Sequence, residues 1–397
     1  TTGTFTIPMM KRLGYRPAFA GAVEAVASTG GQIMPPIMGA AAFVMAEFLG
    51  ISYLTVAGYA LIPALLYYVA VYFAVHFEAR RTGMRGLPRE ELPRLLPVLK
   101  ERGHLFIPLL IIIFVLIAGY SAPYAALLGI MSVVPVALMR KSTRPEISFK
   151  MVIEALESGA RNTLAIATAC ACAGIVIGAI AQTGLGLTFT SLVLNVAQQH
   201  LIPALALTML AGVILGMGLP TTPAYIIQVA LLVPALVKLG ILQESAHLFV
   251  FYFAILSAIT PPVAMAVYAA TGISQSRLWQ TGWAAVKLGA TGYIVPFMFA
   301  FAPSLLMIGP WMQVGQAVVT ALLGVSCLAG SLHGHYLSRT AVWERVLLFV
   351  AAFALIKPGW ITDLIGLALL AVVLTSQLLS KSRAGSTARV DAAPSGE

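Results

Sequence analysis

Three short stretches interrupt long apolar runs with residues that cannot carry an ordinary helix forward. They are Gly30-Gly31-Gln32-Ile33-Met34-Pro35-Pro36, Gly216-Met217-Gly218-Leu219-Pro220-Thr221-Thr222-Pro223 and Ala258-Ile259-Thr260-Pro261-Pro262. Proline has no N–H and clashes with the carbonyl four residues back, so each Pro-Pro or Pro-x-x-Pro marks a break. Carbonyls freed at such a break can ligate a cation, and exposed helix N-termini can attract an anion. Ser28, Thr29, Gln32, Thr221, Thr222, Ser257 and Thr260 add side-chain oxygens beside the breaks, a donor set suited to a hard cation. No carboxylate adjoins any break in the sequence, so a Na+ site here relies on carbonyls and hydroxyls.

Other polar groups stand out because their surroundings are apolar. Glu24 lies within an apolar segment and is a candidate proton or substrate group, while Glu47 lies near the end of its segment. Glu157 and Arg161 are spaced i,i+4, which reads as an ion pair on one helix face. Arg and Lys lie largely outside the apolar segments, so the sequence singles out no residue for a substrate carboxylate and offers Arg161 and Lys287 only as candidates. Cys170, Cys172 and Cys327 have no disulfide or metal-ligand spacing, and His333 and His335 read as two interfacial histidines in a short loop. With no metal cluster, no activated nucleophile and no phosphate-binding loop, the chain does not read as an enzyme. A pump without a nucleotide loop must draw on an ion gradient, and beyond Na+ no metal or cofactor is expected.

The elements that hold these residues are membrane helices. Of 397 residues, 59% are hydrophobic and 10% charged, against about 25% charged in soluble domains. With 24 Lys+Arg and 14 Asp+Glu, a charged shell cannot be built, which excludes a cytosolic enzyme, a disordered scaffold and a nucleic-acid binder. About 20 apolar residues cross the hydrocarbon layer as a helix, and no period-2 barrel pattern is present. Helical segments are predicted near 18–49, 53–77, 104–120, 122–140, 150–182, 185–200, 201–240, 245–271, 281–305, 314–332, 345–357 and 361–380. Basic residues collect at 78–103 and 140–150, on either side of a predicted transmembrane hairpin, which puts both loops and the C-terminus in the cytoplasm. The net charge of +10 is then mostly a topological signal. A start at Thr1 in mid-pattern suggests a chain that is incomplete at its N-terminus.

An ordered set of matches recurs along the chain. Arg12-Leu13-Gly14 echoes Lys238-Leu239-Gly240 and Met34-Pro35-Pro36 echoes Thr260-Pro261-Pro262, both at one and the same offset (238 − 12 and 261 − 35). Gly50-Ile51-Ser52 echoes Gly272-Ile273-Ser274 with a four-residue gap. Helix counting from the basic loops runs the two copies antiparallel. The expected architecture is therefore all-α and polytopic, with inverted repeats and discontinuous, re-entrant helices, as in secondary transporters. Its predicted parts are the remainder of a first repeat (1–77), basic loops with a hairpin (78–149), a second repeat (150–305), a three-helix membrane extension (306–383) and a disordered tail (384–397).

These residues resemble the membrane permease of a tripartite ATP-independent periplasmic (TRAP) transporter, of the kind that joins small and large subunits. The likeness rests on Thr1-Thr2-Gly3-Thr4 through Pro8-Met9-Met10-Lys11-Arg12, on Gly30 to Pro36, on Leu215 to Ala224 and on Ile259 to Pro262. It covers about residues 1–305, and 306–397 resemble an accessory extension found on some fused permeases. The resemblance implies Na+-coupled import of an organic acid across the bacterial inner membrane by an elevator-like movement. The acid would be delivered by a periplasmic binding protein. It also implies cation sites on the backbone around Gly30, Gly31, Gly216, Gly218 and Thr260, with the Thr221 and Thr222 hydroxyls. Two departures stand out: Pro220 occupies a place where large subunits often carry an acid, and the small-subunit part and the opening of the first repeat are absent. Two other readings remain open: a stand-alone carrier coupled to H+ through Glu24 or to Na+, and a truncated or structural membrane subunit that transports nothing.

Overall fold

The computed structural model describes residues 2–84, 86, 95–140, 148–357 and 359–390, without the side chains of 380–390. Arg85, Arg89, Arg94, Lys141 and Arg144, on which part of the orientation argument rests, lie outside the described residues, as do the side chains of Lys381 and Arg383. Apart from one isolated bridge, His335 to Arg339, the described residues form helices and turns.

The helices follow the predicted segments, with proline and glycine setting their ends. In chain order they begin with α1 (Gly3–Arg12), α2 (Pro17–Gly30), α3 (Ala41–Leu49) and α4 (Tyr53–Thr82). Then come α5 (Leu95–Arg102), α6 (Ile107–Ile117), α7 (Ala122–Leu138), α8 (Phe149–Thr183) and α9 (Leu185–Val196). The second breaking stretch separates α10 (Leu201–Gly216) from α11 (Thr221–Lys238), and the third separates α12 (Gln243–Leu256) from α13 (Met265–Ser274). The last five are α14 (Leu278–Leu288), α15 (Ala290–Phe301), α16 (Trp311–His333), α17 (Val342–Ile356) and α18 (Trp360–Val390). Both bounds of α12 stand at the repeat offset from those of α2 (243 − 17 and 256 − 30).

Among the described residues, six stretches are long and apolar enough to cross a bilayer: α4, α8, α11, the α14–α15 pair, α16 and residues Trp360–Leu379 of α18. The chain is a polytopic membrane protein. Several details differ from the segments read in the sequence. The span predicted at 281–305 is divided at Gly289, whose backbone lies close to Ile259 (a Cβ there would be 3.0 Å from Ile259 Cδ1). Gly272 lies inside α13, and the left-handed residue that closes this helix is Gln275, at φ 57°. Helix α18 continues through 384–390 of the predicted tail, while 391–397 lie outside the described residues.

The chain divides into two compact units. The first comprises 1–30, 61–85 and 256–397. In it α1, α13 and α14 pack on α2, whose Ala- and Gly-rich surface permits close approach. A Cβ on Gly21 would fall 2.9 Å from Ser274 Oγ, so glycine is what brings α13 against α2 there. Lys11 Nζ donates to the Ser274 carbonyl at 3.2 Å. Helices α16, α17 and α18 pack together, and buried Glu344 ties α17 to α18. It accepts from Ala341 N–H (3.0 Å), Ser376 Oγ (2.8 Å) and Gln377 Nε2 (3.0 Å).

The second unit comprises 31–60 and 86–255. Here α11 is central and contacts α3, α8, α9 and α10, while α6 and α7 form a hairpin. The apolar α8 is largely exposed, which suits a helix whose solvent is lipid.

Candidate functional site

The C-terminal end of α2 is shaped by two tyrosines of α4. Tyr67 Oη donates to the Val26 carbonyl and Tyr68 Oη to the Ala27 carbonyl, each at 2.9 Å. The last four carbonyls of a helix lack intrahelical partners; Tyr68 satisfies the first of these in α2, while Tyr67 adds a second donor to Val26, one residue further in. Gly30 ends the helix where the Tyr67 ring presses on its backbone; a Cβ there would lie 2.5 Å from Tyr67 Cε1. Thr29 is buried and Ser28 exposed.

Glu24 is half-buried and holds a ring of hydroxyls. Thr2 Oγ1 and Ser28 Oγ (3.3 Å) donate to its Oε1, and Thr6 Oγ1 donates to its Oε2 at 2.5 Å. Gly3 permits this, since a Cβ there would fall 3.1 Å from Glu24 Cγ. Of the predicted residues, Glu24 and Ser28 are therefore joined directly, and the partners Thr2 and Thr6 come from α1 and the residue before it.

In the second unit the turn 31–40 closes on itself. Gly39 N–H donates to the Gln32 carbonyl at 2.8 Å, and Gln32 packs against Gly39. Gly31 is exposed, and Pro35 and Pro36 lie half-buried in the turn with a cis bond between them. Tyr53 Oη reaches the carbonyls of Pro36 (2.8 Å) and Ile37 (2.6 Å), its ring stacked on Phe43.

The stretch 257–264, in the first unit, closes similarly. Ala266 N–H donates to the Ala258 carbonyl at 2.9 Å, and Pro261-Pro262 is also cis. Thr260 Oγ1 lies 2.7 Å from the Leu256 carbonyl and 2.6 Å from Tyr293 Oη. Pro261 seats on α14 at Gly282, where a Cβ would lie 2.9 Å from Pro261 Cγ. Tyr293 and Tyr67 are themselves related by the repeat offset (293 − 67). That offset alone could have found both tyrosines.

In the second unit, the break between α10 and α11 turns through Gly218 at φ +78°, a conformation that favours glycine. Gly216 is buried as the last residue of α10, and Pro220 precedes α11 with Thr221 and Thr222 half-buried in its first turn and Pro223 buried behind them. Two buried polar contacts here were not anticipated. Tyr225 Oη lies 2.7 Å from His247 Nδ1, and Gln228 Nε2 donates to the Gly212 carbonyl at 2.8 Å. Single polar residues on apolar helices carry no spacing signal. Arg161 is bound to Glu157 Oε1 through Nε (3.0 Å) and a terminal nitrogen (2.8 Å) on an exposed face of α8.

A model of the family described as "Tripartite ATP-independent periplasmic transporter, DctM component" matches residues 1–314. The chain belongs to this family. The DctM segment thus runs from α1 into the start of α16 and contains all three breaks. A second model, a domain of unknown function (DUF3394), matches residues 316–391, the remainder of α16 with α17 and α18. No curated protein matches the chain. Membership makes it the large permease component of a TRAP transporter and not an enzyme. It is a multi-pass membrane protein of a bacterial transporter family, which implies a periplasmic binding protein and a DctQ-type membrane partner.

Proposed function

We propose that this DctM chain imports an organic acid delivered by a periplasmic binding protein, driven by Na+ that binds at the broken helices. The observation that carries the reading is the family match over 1–314 together with two broken helices whose bounds repeat at a single offset. The equal offset supports an inverted repeat of re-entrant hairpins, the arrangement from which transporters build ion sites out of helix ends. In this reading the cations lie on backbone around Gly30, Gly31, Gly216, Gly218 and Thr260, with the Thr221 and Thr222 hydroxyls. Tyr67, Tyr68 and Tyr293 hold the helix ends and loop residues beside them. The Ala27 carbonyl, which accepts the Tyr68 proton outside the intrahelical ladder, keeps a second lone pair for a cation. The C-terminus is cytoplasmic by the positive-inside rule, and an elevator-like movement carries the site across.

The test is uptake into proteoliposomes containing the permease with its DctQ-type partner, supplied with liganded binding protein. Uptake is expected to require both an inward Na+ gradient and the binding protein. Uptake that persists without Na+ and fails when Glu24 becomes Gln would replace this reading with H+ coupling. Uptake of free acid without binding protein would make the chain a stand-alone carrier.

A further inference from the structure

The DctM segment and the C-terminal DUF3394 segment share a cavity of about 700 Å³ within the first unit. Four cations line it, Arg16, Arg81, Arg277 and Lys287, against one carboxylate, Glu78, so the lining carries +3 (4 − 1). The carboxylate is already engaged. Its Oε1 accepts from Arg81 at 2.8 Å and from Arg16 at 3.1 Å, which leaves Arg277 and Lys287 as the lining cations outside that cluster.

Two further features favour an anion. Arg277 is the N-cap residue of α14, and Pro17-Ala18-Phe19 on the wall are the first turn of α2. Two helix N-termini with their unpaired N–H groups therefore line the same space. At the back stands His333, the last residue of α16 and the contribution of the DUF3394 segment. It is 2% exposed, neither ring nitrogen has a hydrogen-bond partner, and Nδ1 is 3.6 Å from Glu78 Oε2. Its neighbours in the sequence predict a loop at the interface, but α16 extends to this histidine and buries it. Nδ1 faces the Glu78 carboxylate, but a buried Nε2 with no hydrogen-bond partner is costly unless something supplies one. Trp283, an exposed residue of the interfacial type, also lines the cavity.

We propose that this cavity binds a phosphate group, held by Arg277 and Lys287 with His333 behind it, and that the bound phosphate ties the C-terminal domain to the permease. Guanidinium and ammonium groups recognise phosphate by charge-assisted hydrogen bonds. Basic pockets between membrane helices take anionic headgroups in the same way. The source is either an anionic phospholipid or free phosphate, and two experiments separate them.

In the first, delipidated protein in neutral detergent is titrated with inorganic phosphate at constant ionic strength, with thermal unfolding as the readout. In the second, the protein is placed in phosphatidylcholine nanodiscs with increasing phosphatidylglycerol; thermal unfolding is again followed, and native mass spectrometry counts the lipids retained. Saturable stabilisation is expected in at least one arm. Arg277→Gln and Lys287→Gln are each expected to raise the half-saturating concentration about 10-fold, while Lys238→Gln leaves it unchanged. Response in the lipid arm alone identifies a headgroup, and response in the phosphate arm identifies free phosphate as sufficient. Absence of stabilisation in both arms, or titration of both cavity variants like the parent, overturns the proposal. Should Lys287→Gln fail to fold, Arg277→Gln, whose side chain is exposed, decides the matter alone.

Discussion

Gly30→Ala tests whether the first break is positioned by a tyrosine ring wedged between two backbones. The added Cβ would stand 2.5 Å from Tyr67 Cε1 and 2.9 Å from Cδ1, where ordinary contact begins at 3.4 Å. The ring must therefore move by about 1 Å. It cannot move freely. Its opposite edge rests on Gly292, where even a built Cβ would come within 3.0 Å of Tyr67 Cε2, and its hydroxyl is held by the Val26 carbonyl at 2.9 Å. Tyr67 is 2% exposed, so no solvent-filled space lies beside it. Overpacking of this kind costs about 1–3 kcal/mol. The gain of about 1 kcal/mol for Ala over Gly applies to helix interiors and is mostly lost at the last residue of α2. The expected result is a lower apparent melting temperature in detergent, followed by near-UV circular dichroism at one scan rate. Gly58→Ala serves as the control, since nothing lies within 4 Å of its Cβ and it sits inside α4; it should be neutral or stabilising by up to about 1 kcal/mol. Tyr67→Ala combined with Gly30→Ala should cost less than the two changes added, by about 1 kcal/mol or more. A Gly30→Ala protein that melts with or above the parent, or strict additivity with Tyr67→Ala, would refute the wedge.

Three other substitutions probe neighbouring features. Thr260→Val removes the hydroxyl shared with Tyr293 and should lower stability by about 1 kcal/mol. Under the Na+ reading, the same variant should also lose most of the thermal protection that Na+ gives over K+ in the parent. Tyr53→Phe frees the Pro36 and Ile37 carbonyls, and amide exchange in the turn 31–40 should quicken without a change in helix content. Glu344→Ala strands the Ala341 N–H, Ser376 and Gln377 donors at about 1–3 kcal/mol in all; limited proteolysis should then cut within 334–341, and cutting no faster than in the parent counts against the network.

Helix placement was legible because it is local. Apolar runs need the length of a bilayer, and Pro and Gly end helices by the chemistry of their own backbones. Accordingly α4, α8, α16 and α17 lie within a few residues of their predicted segments, and all three breaks separate helices. The one-residue division at Gly289 was not legible, because a lone glycine inside an apolar run carries no fixed break signal. His333 was misplaced because its type and neighbours suggested a loop, while packing buried it beside Glu78.

By itself, the sequence determined that the chain is an all-helical membrane protein, where its helices break, and which family it resembles. These follow from composition, covalent restrictions at proline and motif order, none of which needs a distant residue. Only the tertiary structure decided what meets the breaks. Tyr67 and Tyr68 of α4 reach back to α2, Tyr293 of α15 reaches Thr260, and Thr2 and Thr6 reach Glu24 from outside its helix. It also gathered Arg16, Arg81, Arg277, Lys287 and His333 around one cavity. Each of these charges alone reads as an ordinary interfacial residue; convergence is a property of how helices pack, and packing is settled by side chains far apart in the chain.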